Sequence, residues 1–287
     1  MKFDVIVGNP PYQTPKEGQK GAYGTGTILW DKFIIKSLQY LKKNGYLCFV
    51  NPQLWRKPNH KILNLFKENN LIFLNMNNRK TTINYFGNVY ISVDWYVLQK
   101  SEYVGKTEII DYNNKKYIMD IQKYEFIPNK HLDFIYDRLY ESELNKRLVL
   151  YMSTKFNLKN CKKNKNSAYK FPVMNVVRKS GIHNIFYSKY FDKFYNFPKI
   201  ILSDMIRSNA AYNDFKGEYL ISPHSFAIKI KNKSEGEKYK IIVASEKFKE
   251  LMDSITWSNF QIAPNVFSYF KKDFWKYFVD ENGNEME

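Results

Sequence analysis

The chain has 287 residues, of which 44% are hydrophobic, and its 45 Lys and Arg against 28 Asp and Glu give a net charge of +17. No apolar run approaches the roughly 20 residues of a membrane span, and the amino terminus lacks the pattern of a secretory signal, so we expect a cytoplasmic protein without a membrane segment. Two cysteines, Cys48 and Cys161, are too few for a disulfide framework. The basic surface favours nucleic acid, although a lysine-rich codon bias would give the same excess.

The first predicted element is a buried strand over residues 3–8, which ends in Asn9-Pro10-Pro11-Tyr12. Two adjacent prolines donate no backbone hydrogen bonds and fix two φ angles, so this tetrapeptide is neither helix nor central strand. One interpretation is a purely structural turn. The other is a stiff loop that holds an amide side chain, a prolyl carbonyl and an aromatic ring in a fixed relation, which suits a flat base carrying an amino group.

The segments that follow alternate between helical and strand patterns. After the strand over 3–8, the spacing of apolar residues predicts a helix over 28–41, a strand over 46–50, a helix over 61–67 and a strand over 71–74. This alternating order predicts a parallel sheet covered by helices. A long strand over 89–98 is predicted next, followed by a hairpin with strands at 107–112 and 116–119.

The remainder is predicted to be mixed in structure and strongly basic. We expect helices over 131–144, 237–255 and 267–278, the second of them broken near Ala244-Ser245, and strands over 171–178, 199–203 and 225–230. The lysine-rich run 159–166 is either a loop that contacts phosphate or a solvated loop. The change in composition predicts two domains, 1–125 and 126–287.

Residues 3–12 resemble the catalytic motif of the adenine-specific DNA amino-methyltransferases of the type II/IIG restriction–modification group. Further likeness lies in residues 29–33, in the glycine turn, strand and Pro-x-x-Trp of residues 41–55, and in Phe86-Gly87 before the long strand. The resemblance implies an α/β fold, with a partial Rossmann-like methyltransferase sheet in residues 1–125. A mixed α+β target-recognition domain would follow in residues 126–287.

The resemblance also implies roles for single residues. The Asn9 side-chain oxygen and the Pro10 carbonyl would accept hydrogen bonds from the exocyclic amine of a flipped adenine, and Tyr12 would stack on the base. Phe86 would cover the opposite face of the base, its alternative being a place in the core. The implied methyl donor is S-adenosylmethionine, and the implied partner is double-stranded DNA.

Three basic residues of the predicted recognition domain, Arg178, Lys179 and Arg207, are candidates for contacts with guanine edges or phosphates. The alternative for each of them is solvated surface. The four histidines show no metal-ligand spacing, so no metal site is predicted. We also predict no nuclease site, because no cluster of carboxylates and lysine supports one.

In this family the half that binds S-adenosylmethionine comes before the catalytic motif, whereas in this sequence only eight residues precede the motif. The glycines at 18–26 follow a proline loop rather than a strand and are weak evidence for a donor site. Three interpretations stay open. The chain is half of a split enzyme completed by a second polypeptide, a shortened form inactive alone, or a non-catalytic DNA-binding remnant or subunit of a restriction–modification system.

Overall fold

The computed structural model describes residues 1–14, 26–87, 89, 91–153, 158–180, 183–193, 195–204, 210–258, 261–280 and 282–286. The chain divides into two units, Met1–Lys130 and His131–Glu287. Helices and several separate sheets make it a mixed α/β protein. Within the described residues, every helix is too short or too polar to cross a lipid bilayer.

The first unit is built on a six-stranded sheet of order β1-β2-β4-β3-β5-β6. Its elements are β1 (Phe3–Gly8), α1 (Trp30–Tyr40), β2 (Leu41–Pro52), α2 (Lys61–Glu68), β3 (Asn70–Asn77), α3 (Arg79–Phe86), β4 (Val93–Gln99), β5 (Thr107–Ile110) and β6 (Lys116–Met119). β1 pairs in parallel with β2, whereas β4 lies antiparallel between β2 and β3. The three strands predicted to be parallel, β1, β2 and β3, therefore run in the same direction. The antiparallel course of β4 was not predicted, because an apolar pattern carries no information about strand direction.

The described helices α1 and α2 lie on one face of this sheet. On α2, Phe66 packs against Trp55 and against Tyr96 of β4, with ring centroids 4.8 and 4.7 Å apart. On α1, Trp30 stacks on His60, the residue that precedes α2. Since paired residues share a face, the opposite face carries apolar side chains that are 38–75% exposed: Val5, Val7, Tyr46, Trp95 and Ile118. Among the described helices, α1 and α2 thus supply the predicted cover on the face opposite these exposed side chains.

The second unit contains two smaller sheets, of order β11-β10-β13-β7 and β12-β8-β9. Its elements are β7 (Leu150–Met152), β8 (Phe171–Val176), β9 (Asn184–Ser188), β10 (Lys199–Ser203), β11 (Ala211–Asp214), β12 (Leu220–Ile221), β13 (Ser225–Lys229), α4 (Lys233–Ala244) and α5 (Glu246–Ser254). The predicted break is confirmed, because Ser245 ends α4 and its hydroxyl caps α5. The helix expected over 131–144 is reduced to a short π-type turn, Phe134–Leu139.

The aromatic segment 267–278 is not the helix that its spacing predicts. It forms parts of two 3-10 turns instead. Backbone bonds to the 139–141 segment replace the helical ones, since the Glu141 N–H donates to the Tyr269 carbonyl and the Lys271 N–H donates to the Leu139 carbonyl, both at 2.8 Å. The regular spacing of its phenylalanines reflects their burial in the core of the second unit.

Candidate active site

The tetrapeptide Asn9-Pro10-Pro11-Tyr12 begins directly after β1, at the carboxyl end of the edge strand. Pro10 is buried, Tyr12 is half-buried and Asn9 is exposed. Burial raises the pKa of the Tyr12 phenol to about 12, and a hydrogen bond with the Asn9 side chain opposes this shift. Tyr12 is therefore a neutral phenol at pH 7, with its hydroxyl beside the Asn9 amide.

Backbone contacts tie the motif to the start of α1. The Leu29 N–H donates to the Tyr12 carbonyl at 3.0 Å, and the Thr14 N–H donates to the Thr27 carbonyl at 2.9 Å. Glycine is required at position 26, because a Cβ atom there would collide with the Thr14 carbonyl oxygen. These contacts fix both the entry and the exit of the segment between the motif and α1.

The carboxyl ends of three strands meet at the edge of the sheet that carries the motif. β1, β2 and β3 run in the same direction, since β2 and β3 are both antiparallel to β4. Gly8 pairs with Phe49, so Asn51 lies level with Pro10. Phe86, the last residue of α3, follows β3, is 41% exposed and contacts Tyr85. Three strand spacings, about 14 Å, separate β1 from β3. This separation does not show whether the Phe86 ring reaches a base held at Asn9–Tyr12, so its stacking role stays a prediction.

A buried polar cluster that the sequence did not indicate lies at the same edge. Arg56 follows β2 and donates through Nε to Asp94 Oδ2 at 2.8 Å, with both side chains fully buried. Its Nη1 donates to the carbonyls of Ile127 and Pro128, each at 3.2 Å, and its Nη2 donates to Gln53 Oε1 at 3.0 Å. The guanidinium thus joins β2 and β4 to the last segment of the first unit.

Asn51 adds an amide to this edge. Its Oδ1 accepts a hydrogen bond from the Tyr96 hydroxyl at 2.7 Å, while its Nδ2 is buried without a partner. Leaving a buried donor unpaired costs about 1–3 kcal/mol. Burial raises the pKa of the Asp94 carboxyl, and Arg56 acts against that shift. The sequence does mark Asn51, because an asparagine and a proline follow the apolar run at 46–50. Its partner Tyr96 lies 45 positions further along the chain, too far for the contact to be inferred.

The connections between strands and helices that the structure describes in the first unit can be compared with those of nucleotide-binding sheets. Nucleotide-type ligands are commonly held by a Gly-rich turn between a strand and a helix, together with a carboxylate that binds the ribose. The described strand-to-helix connections do not combine these features, and Asp31 in the first turn of α1 is paired with Lys61 at 2.6 Å. Three or more His, Cys, Asp or Glu side chains suited to a metal ion are likewise not found together among the described residues.

The predicted DNA contacts fall in different places. Arg178 and Lys179 are exposed between β8 and β9, where the Arg178 N–H donates to His183 Nδ1 at 3.3 Å. Arg207 lies outside the described residues, as do most of the glycines at 18–26. At the opposite end of the β8–β9 pair, Lys162 and Lys189 lie over the ring of Tyr169.

Residues 1–90 match a family of DNA-modifying enzymes, the methylases of restriction–modification systems. The matching model is that of the Eco57I restriction-modification methylase. The segment includes β1, the Asn9–Tyr12 motif and Arg56, so the resemblance to a restriction–modification methyltransferase is confirmed for this part of the chain. No curated protein matches the sequence.

Solved structures with a similar arrangement include three restriction–modification enzymes. The type IIL enzyme MmeI in complex with DNA gives a TM-score of 0.49 at 10% identity, over 92% of this chain and 46% of that one. A DrdV–DNA complex gives 0.43 at 9% identity, over 97% and 43%. The type IIG endonuclease BpuSI gives 0.34 at 8% identity, over 87% and 42%. The chain spans less than half the length of each of these proteins.

Proposed function

We propose that this chain carries the catalytic and recognition parts of a site-specific DNA methyltransferase that acts on the exocyclic amine of a flipped adenine. The observation that carries the proposal is the position of Asn9-Pro10-Pro11-Tyr12 at the carboxyl end of β1, within the segment that matches a restriction–modification methylase. Ligands of open α/β sheets bind beyond the carboxyl ends of the strands.

The chemistry of adenine fits these groups. Its amine is a weak nucleophile because the nitrogen lone pair is delocalised into the ring. Two acceptors, Asn9 Oδ1 and the Pro10 carbonyl, would each take one N–H of the amine and stabilise the positive charge that develops on it, and one such positioned group contributes about 2.7–4 kcal/mol. The prolines keep the carbonyl aimed, and the Tyr12 ring would stack on the base. S-adenosylmethionine would supply an electrophilic methyl group.

The donor site would be completed by a further segment, for which a second polypeptide is one source. Two observations on β1 support this. Its outer edge is unpaired among the described strands, and its side chains Val5 and Val7 are 52% and 73% exposed. Proteins normally cover or blunt such an edge. A strand paired with β1 would extend the sheet beside the motif, and a helix packed on the uncovered face would bury these side chains.

A second candidate function is a non-catalytic DNA-binding remnant or subunit of a restriction–modification system. It is favoured by the donor-site features that the described residues do not supply. This candidate and the first differ in one outcome, because only the first transfers a methyl group once a donor-binding half is present.

The test measures transfer of a labelled methyl group to duplex DNA, with and without a neighbouring-gene polypeptide that contains a strand followed by a Gly-rich turn. We expect N6-methyladenine in the digested DNA of the completed enzyme. Asn9→Ala should lower the rate about 10²–10³-fold. Asn64→Ala, the same change at an exposed position of α2, should leave the rate unchanged.

Three results would contradict the proposal. An unchanged rate for Asn9→Ala would remove the catalytic role of Asn9. Methylcytosine in place of N6-methyladenine would remove the adenine assignment. Binding of DNA without any methyl transfer by the completed enzyme would favour the second candidate.

A further inference from the structure

The positive charge of the chain is concentrated in one stretch of the second unit. Residues 144–203 contain thirteen Lys or Arg and a single carboxylate, Asp192, which gives +12 of the chain's net +17. The other 227 residues together carry only +5. A general lysine bias would spread the excess along the whole chain, so this distribution favours a local basic surface with a function.

Within this stretch, lysines gather around aromatic rings. The Nζ atoms of Lys162 and Lys189 lie 5.0 and 5.1 Å from the centroid of the same ring, Tyr169, and Lys170 Nζ lies 5.3 Å from that of Phe171. All three lysines are exposed. We call these five residues the lysine–aromatic surface.

The loop that carries this surface is held in place by hydrogen bonds. The backbones of Lys162 and Tyr187 exchange two bonds, at 3.0 and 2.7 Å, which attach the loop to β9. Asn166 Oδ1 accepts from the backbone N–H groups of Ala168 and Tyr169 at 3.0 and 2.9 Å. The lysines therefore project from a fixed backbone rather than from a solvated tail.

The lysines of this surface differ from those of the nearby helical region. Lys240, Lys249 and Lys276 each pair with a carboxylate three residues earlier, at 2.7–2.9 Å. Among the described residues, no carboxylate lies within ion-pair distance of the three surface lysines. Their charge is thus available to an external anion, and an aromatic ring beside each ammonium restricts its position.

We propose that the lysine–aromatic surface binds the phosphate backbone of double-stranded DNA. Lysine acts as a point charge towards phosphate, and the aromatic residues Tyr190 and Phe191, 78% and 66% exposed, extend the surface beyond Lys189. Phosphate contacts of this kind set the register of a protein on the duplex without reading sequence. The inference rests on the proposed function in taking DNA as the partner.

The test measures duplex binding by the full chain as a function of salt. The slope of log K against log salt is negative, and each lost phosphate contact reduces its magnitude by about 0.9. The triple variant Lys162→Gln, Lys170→Gln, Lys189→Gln should therefore reduce the magnitude by about 2–3. The same three residues changed to Arg keep the charge and should keep the slope.

A matched control removes the same charge elsewhere in the second unit. Lys238, Lys247 and Lys276 also lie over aromatic rings, at 5.3, 5.9 and 5.3 Å. Changing these three to Gln should alter the slope by less than 1. Equal slope changes in the two Gln triples would overturn the proposal, as would a wild-type chain that does not bind duplex DNA.

The native cysteines give a second measurement that needs no substitution of the surface. Cys161 directly precedes Lys162, whereas Cys48 lies on the sheet of the first unit, and both are half-buried. Duplex DNA should slow alkylation of Cys161 and leave that of Cys48 unchanged, and equal rates at Cys161 with and without DNA would overturn the proposal. These measurements are independent of methyl transfer, so a chain that binds through this surface but transfers no methyl group contradicts only the proposed activity.

Discussion

Both units of the molecule bury an ion pair, and the two pairs are organised around opposite partners. In the first unit the cation is the centre, because Arg56 donates to Asp94, to Gln53 and to two backbone carbonyls. In the second unit the anion is the centre. Asp214 accepts from Lys199 Nζ at 2.6 Å and also from two backbone N–H groups, at 2.8 and 3.0 Å.

The two ion pairs connect different kinds of segments. Lys199 and Asp214 are direct partners on the neighbouring strands β10 and β11, so their contact stabilises a register that the strands already share. Arg56 joins segments far apart in sequence at the edge that carries the candidate active site. A buried pair contributes little net stability in general, but removal of one partner leaves an uncompensated charge. The cost of removal should therefore depend on how many bonds the remaining partner keeps.

The largest effect is expected for Arg56→Met. This change leaves the fully buried Asp94 carboxylate without its cation and removes the donors to Gln53, Ile127 and Pro128. We expect the free energy of unfolding to fall by about 3–5 kcal/mol, as measured by urea denaturation. Arg56→Lys should recover only part of the loss, since one ammonium cannot reach all these acceptors.

A smaller effect is expected for Lys199→Met. Asp214 keeps its bonds from the N–H groups of Glu218 and Tyr219, so the carboxylate stays partly compensated. We expect a loss of about 1.5–3 kcal/mol, the range of a hydrogen bond to a charged group. If Lys199→Met costs as much as Arg56→Met in the same denaturation experiment, the distinction between the two pairs fails.

The smallest effect concerns pH and the first unit alone. Burial, together with Lys57 and Lys61, lowers the pKa of His60 to about 4, below the 6.5 of an unfolded histidine. Between these values the unfolded state binds the proton more readily, so the free energy of unfolding falls as the pH drops from about 6.5 to 4. His60→Asn keeps a side-chain acceptor at the start of α2. It should reduce the pH dependence over this window, by on the order of 1–2 kcal/mol once solvent screening is allowed for.

Denaturation of wild type and His60→Asn at pH 4, 5, 6 and 7 measures this difference. Other groups titrate in both proteins, so only the difference between the two curves reports His60. Parallel curves would mean that His60 protonates as easily in the folded chain as in the unfolded one.

The parts that could be predicted from sequence are those with a local physical cause. The strand before the tetrapeptide was predictable because an apolar run ends at two prolines, and the break before α5 was predictable from Ser245. The prediction that this strand is buried is wrong, since every residue of Phe3–Gly8 is exposed or half-buried at the edge of the sheet. The direction of β4 was not predictable, because the alternation of apolar and polar residues along a strand is the same in both directions. The Arg56–Asp94 pair was also not predictable, since the two residues are 38 positions apart. An arginine or an aspartate taken alone is usually expected on the surface.

The position of the charged residues along the sequence is more informative than their total number. The total charge of +17 fits either a nucleic-acid partner or codon bias, whereas the near-absence of carboxylates over 144–203 favours the proposed DNA-binding surface. Phe267, Phe270 and Phe274 show the reverse case, in which a clear local pattern was misleading. Their helical spacing was real, but contacts with the 139–141 segment determined the backbone.

The contacts around Gly26 have a practical consequence for protein engineering. Gln13 and Ile28 form an antiparallel bridge, and the Thr14 N–H donates to the Thr27 carbonyl at 2.9 Å. The two residues that flank the stretch after the motif are therefore bonded side by side. A fluorescent label attached at Gln13 or Ile28 would report on the surroundings of the Asn9–Tyr12 motif without changing a residue of the sheet.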